Sequence, residues 1–104
     1  MRLDSARRVF RSDAAVAEAL GVNRTQLSRW REGRTPDPEN LDRLVGLDAV
    51  VQLLTGFLSE TTIPKWLRSP NPRLGDRTPL YMLQRGRLPD VIAAIQAEKS
   101  GTFA

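Results

Sequence analysis

The sequence predicts an all-α fold: an N-terminal helix-turn-helix, a long dimerisation helix and a small helical C-terminal domain. Three observations lead there. No alternating apolar–polar run of useful length occurs, so a half-buried strand has no support. Helix starts recur as a capping residue followed by an acid, an amide or a proline. Gly and Pro, seven of each in 104 residues, punctuate the chain between these starts.

Each element follows from its own signals. Ser12 caps a helix from Asp13 to Leu20, which Gly21 ends. Asn23 caps the next, with Gln26 placed as in a capping box, and that helix stops at Gly33. Asp37-Pro38-Glu39 supplies a cap, a proline at the first helical position and an acid in the first turn. The helix it opens is expected to reach Leu58, about 30 Å away. Ile63-Pro64 opens a short helix bearing Trp66 and Leu67. Ser69-Pro70-Asn71-Pro72 is non-helical, because each proline restricts the residue before it. Thr78-Pro79 starts a helix that Gly86 stops, and Pro89-Asp90 starts the last, through Glu98. The expected division is 1–36 for the helix-turn-helix, 37–60 for the linking and dimerisation helix, and 61–104 for the C-terminal domain.

Composition removes several functions. The chain has no Cys and no His, which excludes Cys/His zinc sites, a cysteine nucleophile and a histidine base. Carboxylates are not paired at a useful spacing. The expectation is a protein without enzymatic activity, metal or cofactor. No run approaches the roughly 20 apolar residues of a membrane span, and the N-terminus lacks a signal-peptide core, so a cytoplasmic location is expected.

Charge is unevenly distributed. Residues 1–36 hold 8 Arg against 4 acids, residues 37–62 one Arg against 5 acids, and residues 63–104 hold 7 basic against 3 acidic residues. This basic–acidic–basic layout suggests two contact surfaces separated by a middle segment. The alternative is that the charges only solvate three helical faces. Of the 16 basic residues 14 are Arg, suited to bidentate phosphate and base contacts.

Asp13 to Glu32 meets the constraints of a helix-turn-helix. Ala17 is the small residue that lets the second helix cross closely, and Gly21 tolerates the positive φ of the turn. Leu27 and Trp30 share one face and point to the core. Arg24, Thr25, Ser28 and Arg29 then face outward, where base edges in a major groove would lie. Arg31 and Arg34, with Arg7, Arg8 and Arg11, are assigned to phosphate, and Arg24 and Arg29 to bases. The competing reading is an ordinary helical hairpin with Arg on its wet side.

The middle helix is too apolar for one buried face. Eight of the twelve residues from Leu47 to Leu58 are apolar. Leu47, Val51, Leu54 and Leu58 form one stripe, and Val50, Leu53 and Phe57 a second beside it. Two stripes need two partners. One is the chain's own core, and the other is assigned to a second copy in a C2 homodimer. The expected interface is Leu47, Val50, Val51, Leu54, Phe57 and Leu58. The alternative is that the C-terminal helices cover both stripes within one chain.

The C-terminal half carries a dense string: Trp66-Leu67, Pro70-Asn71, Leu74-Gly75, Pro79-Leu80 and Leu83. This W-L-x-x-P-N-x-x-L-G…P-L-x-x-L pattern resembles the toxin-binding signature of antitoxins of the Xre/MbcA/ParS type, partners of RES-domain toxins. The resemblance continues through Gly86, Val91 and Ile95 to Gly101-Thr102-Phe103-Ala104, with the helix-turn-helix in front. One departure is Asp76 after Gly75, where relatives often carry a second glycine. The resemblance implies a type II antitoxin that dimerises and binds a RES toxin that destroys NAD. It further implies occlusion of the toxin's active site by the C-terminal segment and repression of the antitoxin's own operon. The implied partners are the toxin, operator DNA and a second copy within a larger hetero-oligomer.

The tail fits such a plug on its own chemistry. Lys99, Ser100, Gly101, Thr102, Phe103 and Ala104 follow a helix and cannot form a core, yet Phe103 is an apolar anchor beside a terminal carboxylate. A cleft that holds the phosphates of NAD is expected to be basic, and a carboxylate with two hydroxyls suits it. The alternative is a frayed terminus. Asn71 and Arg73 of the Pro-Asn loop join the expected toxin-binding set. Arg68, Arg73, Arg77, Arg85 and Arg87 face either an acidic toxin surface or solvent. Trp66 is expected to be structural, holding that loop. The competing function is a stand-alone dimeric helix-turn-helix transcriptional regulator.

Overall fold

Capping chemistry sets four of the helix starts. The computed structural model of the chain describes residues 3–101, where seven α-helices and one 3-10 turn are found and no strand. The helices are α1 (Asp4–Phe10), α2 (Asp13–Leu20), α3 (Arg24–Arg31), α4 (Pro38–Leu54), α5 (Thr62–Arg68), α6 (Pro79–Gln84) and α7 (Leu88–Lys99). The 3-10 turn, Pro72–Leu74, lies between α5 and α6. Ser12 Oγ accepts the Ala15 N–H at 3.1 Å, and Asn23 Oδ1 the Gln26 N–H at 2.7 Å. Asp37 Oδ1 accepts the Asn40 N–H at 3.2 Å, and Thr78 Oγ1 the Tyr81 N–H at 3.0 Å. Each bond satisfies an amide that a helix start leaves without a partner.

Helix α1 was not anticipated. It begins without a side-chain cap and ends on Arg11 at φ 70°, a left-handed residue that is not glycine. Its Ala6, Val9 and Phe10 are buried.

The middle helix departs from expectation in two ways. It ends at Leu54, because Thr55 turns extended (φ −63°, ψ 131°) and Gly56 follows at φ 86°. Leu47, Val50, Val51 and Leu54 are at most 2% exposed, all within the chain's own core. They present no surface to a second copy, so their assignment to a dimer interface is corrected. The apolar excess is real, but α1, α2, α6 and α7 surround α4 and cover both stripes as far as the helix runs, with Leu53 half-buried. Phe57 and Leu58 lie beyond the helix. Leu58 is half-buried against the core, and Phe57 is exposed with Lys99 Nζ 5.9 Å from its ring centroid.

One core therefore serves the whole chain. Val16, Leu20, Leu27 and Trp30 of the front half share a buried cluster with Ile63, Leu67, Leu83, Val91 and Ile95 of the rear half. Helix α4 is the common wall between them. Burial of some twenty apolar side chains, each contributing about 1.5–3 kcal/mol, is the main stabilising term.

Candidate functional site

The helix-turn-helix geometry follows from three residues. Gly21 sits at φ 74° and donates its N–H to the Ala17 and Glu18 carbonyls, closing α2. Leu27 and Trp30 are buried, which rotates Arg24, Thr25, Ser28 and Arg29 to the exposed side of α3. Arg34 is exposed just beyond α3, its N–H bonded to the Arg29 carbonyl at 3.0 Å. The four outward residues share one surface with two guanidinium groups among them. Arg24, Arg29 and Arg34 have no carboxylate partner among the described residues, so their charge is available to an anion.

Arg31 differs. Its Nη2 lies 2.8 Å from Asp13 Oδ1, and Arg7 Nε lies 3.3 Å from the same oxygen. One carboxylate at the first turn of α2 thus holds a guanidinium from α1 and another from α3. Arg8 is engaged by Glu60 at 3.1 Å. With Asp4 and Arg11 these arginines line an open basic depression of about 470 Å³ beside the helix-turn-helix.

The rear half is built on the Pro-Asn loop. Asn71 is the one buried polar residue among those described, 6% exposed. Its Oδ1 accepts the Arg73 N–H at 2.9 Å, its carbonyl accepts the Leu74 and Asp76 N–H groups, and its own N–H reaches the Arg77 carbonyl at 3.0 Å. Asn71 therefore organises the turn from inside, and its expected place on the toxin-contacting surface is corrected. Gly75 and Asp76 are consecutive left-handed residues at φ 66° and 64°. The loop thus favours glycine at both positions, and this chain has it at one. Trp66 is structural: its Nε1–H donates to Glu98 Oε2 at 2.8 Å, tying α5 to α7.

Arg73 lies on the outside of this turn and lines a shallow groove of about 360 Å³ with Leu74, Met82, Ala93, Ala94 and Ala97. The groove runs along α7 toward Lys99, Ser100 and Gly101, all exposed at the helix end. Thr102, Phe103 and Ala104 lie outside the described residues. Arg77 and Arg85 flank the exposed Tyr81 ring, at 5.4 and 3.5 Å from its centroid, and Arg68 lies 5.2 Å from that of Phe10. Arg87 pairs with Asp90 at 2.9 Å.

Sequence reasoning missed Gln84. Its Nε2 donates to the Ala19 carbonyl at 2.9 Å and to that of Glu18 at 3.4 Å. Its own carbonyl accepts Arg43 Nε at 2.9 Å. One residue of the rear half thereby braces the end of α2, and no local pattern announces it.

Comparison with known proteins agrees with this geometry. A helix-turn-helix family model matches residues 11–47. A chain from the crystal structure of the M. tuberculosis MbcT–MbcA toxin–antitoxin complex superposes with a TM-score of 0.80 at 26% identity, covering 96% of this chain and 91% of that one. A probable mycobacterial cidal antitoxin of Mycobacterium tuberculosis, Rv3188, is 31% identical over 88 residues, which span 85% of this chain and 76% of the relative. The chain belongs to the MbcA-like family of helix-turn-helix antitoxins. This antitoxin thus carries its family's fold in both halves. Among its described residues no helix is long and apolar enough to cross a membrane, and no cluster of carboxylates is arranged to hold a metal ion.

Proposed function

We propose that this antitoxin is of type II and neutralises a RES-domain toxin that degrades NAD. The segment from Lys99 to Ala104 fills the toxin's active site, and Arg73 supports it from the adjoining groove. The same protein represses its own operon in the cytoplasm, as a homodimer within a larger hetero-oligomer. Arg24, Thr25, Ser28 and Arg29 meet base edges, and Arg31 and Arg34 meet phosphate.

The observation that carries this reading is the reach of the structural likeness. It extends over 96% of the chain, to a protein solved in a toxin–antitoxin complex, so it includes the rear half that a plain DNA-binding module lacks. The chemistry of the two ends supports the division of labour. The outer face of α3 offers unpaired guanidinium groups to an anion. Lys99, Ser100 and Gly101 are exposed at the end of α7, where the chain leads on to that segment.

Co-expression tests the proposal. The antitoxin is expected to restore growth and cellular NAD when an adjacent gene for a RES-type protein is induced. Continued NAD loss with the antitoxin present at equal level would overturn it.

A further inference from the structure

Helix α3 takes its place from α2. It packs mainly on that helix, and only Gly21, Val22 and Asn23 join the two. Whatever fixes α2 therefore fixes the helix that carries Arg24, Thr25, Ser28 and Arg29. The first turn of α2 is held by Asp13, which binds Arg7 of α1 and Arg31 of α3. Its last turn is held from the rear half of the chain, by Gln84 at the end of α6.

The contact is a fork onto the helix end. The Ala17 and Glu18 carbonyls accept the Gly21 N–H, and Ala17 accepts that of Val22 as well. Gln84 Nε2 adds a bond to Glu18 at 3.4 Å and supplies one to the Ala19 carbonyl at 2.9 Å. Gln84 is itself held. Arg43 Nε of α4 donates to its carbonyl at 2.9 Å, and the same guanidinium reaches Asn40 Oδ1 at 3.3 Å and Glu39 Oε1 at 2.8 Å. Leu83, the residue before it, is buried. A polar chain thus runs from the first turn of α4 through α6 to the end of α2.

We infer that Gln84 is a positioning residue for DNA reading: it acts through the α2–α3 turn and holds α3 at the angle that base contacts require. The inference rests on the operator binding proposed above. Base contacts are directional and need their donors held to within about 0.5 Å. A guanidinium on a long stem still finds a phosphate when its helix shifts, because that contact carries no sequence information and tolerates many geometries. Loosening the turn therefore costs sequence discrimination before it costs backbone affinity. The amide donor is the part that matters. It meets two carbonyls at the negative end of α2, where a donor is favoured and an acceptor is not.

Fluorescence anisotropy of the full-length chain on two duplexes tests this, one from upstream of its own gene and one of shuffled sequence, each across a salt series. The wild type is expected to prefer the first. Gln84→Met keeps the stem and removes the donor. It is expected to lose about tenfold of that preference with its salt slope unchanged. Trp66→Phe removes the bond from α5 to α7 and leaves the turn alone. It is expected to lower Tm and keep the preference. Partial unfolding weakens binding to both duplexes alike, so a merely structural role leaves their ratio where it is. A Gln84→Met protein that discriminates like the wild type, or a Trp66→Phe protein that loses as much, overturns the role of Gln84 and leaves operator binding standing. A wild type without preference overturns both. Should Gln84→Met fail to fold, Gln84→Glu, of the same size and without a donor when ionised, takes its place with the same expected loss.

Discussion

Gln84 Nε2 donates to the Ala19 carbonyl oxygen at 2.9 Å, a contact that closes 65 residues of chain. It places the first residue after Leu83 against the last turn of α2, where helix carbonyls otherwise lack partners. A Cβ on Gly21 would meet Gln84 Cδ at 3.2 Å. The rear half of the antitoxin is thus seated on the turn of its helix-turn-helix, and the two halves are one mechanical unit.

Gln84→Ala is expected to cost about 1–2 kcal/mol by leaving the α2 carbonyls to water and a void. In a chain of this size that lowers Tm by roughly 4–8 °C per kcal/mol. Calorimetry reads the shift. An unchanged Tm would show that the brace contributes nothing.

Asp76 offers the opposite sign. It sits at φ 64°, where a side chain crowds the following carbonyl. Asp76→Gly is expected to stabilise the fold by about 0.5–1 kcal/mol, and Asp76→Val to destabilise it by more. Urea denaturation of the three proteins checks the order.

On the DNA-binding side, loss of a base contact and loss of a phosphate contact differ in kind. Arg29→Ala is expected to weaken operator binding by about 1–3 kcal/mol and to relax sequence preference. Arg34→Ala is expected to weaken all sequences alike and to lower the salt slope by about one. Gel shifts across a salt series separate the two.

Asp13 restrains two arginines. Removing its charge frees Arg7 and Arg31 for phosphate and takes an anion off the face of α2. Asp13→Asn is expected to tighten operator binding several-fold at low salt and to steepen the salt slope. Weaker binding would mean that the pair positions Arg31 rather than withholding it.

The helix starts were legible because capping is local. Ser12, Asn23, Asp37 and Thr78 each bond the amide three residues on, as their spacing implies. Helix α1 was illegible for the same reason: its N-cap is Leu3, with no side-chain bond, and its C-cap is Arg11 rather than glycine. The apolar excess of α4 was visible, but periodicity records that a face is covered and not by what. Leu47, Val50, Val51 and Leu54 therefore read as an interface when helices of the same chain enclose them. Asn71 misled in another way. A polar residue in a signature string suggests contact with a partner, yet its bonds turn inward to Arg73, Leu74 and Asp76. The Gln84 brace is a product of tertiary packing, and nothing local marks it.

The central claim is that the end of this chain fills the active site of an NAD-degrading toxin. The direct measurement is NAD remaining after incubation of a RES-type toxin with the full-length antitoxin or with a chain ending at Gly101. Full-length antitoxin is expected to preserve NAD, and the shortened chain to bind the toxin while NAD disappears. Equal protection by the shortened chain would contradict the account.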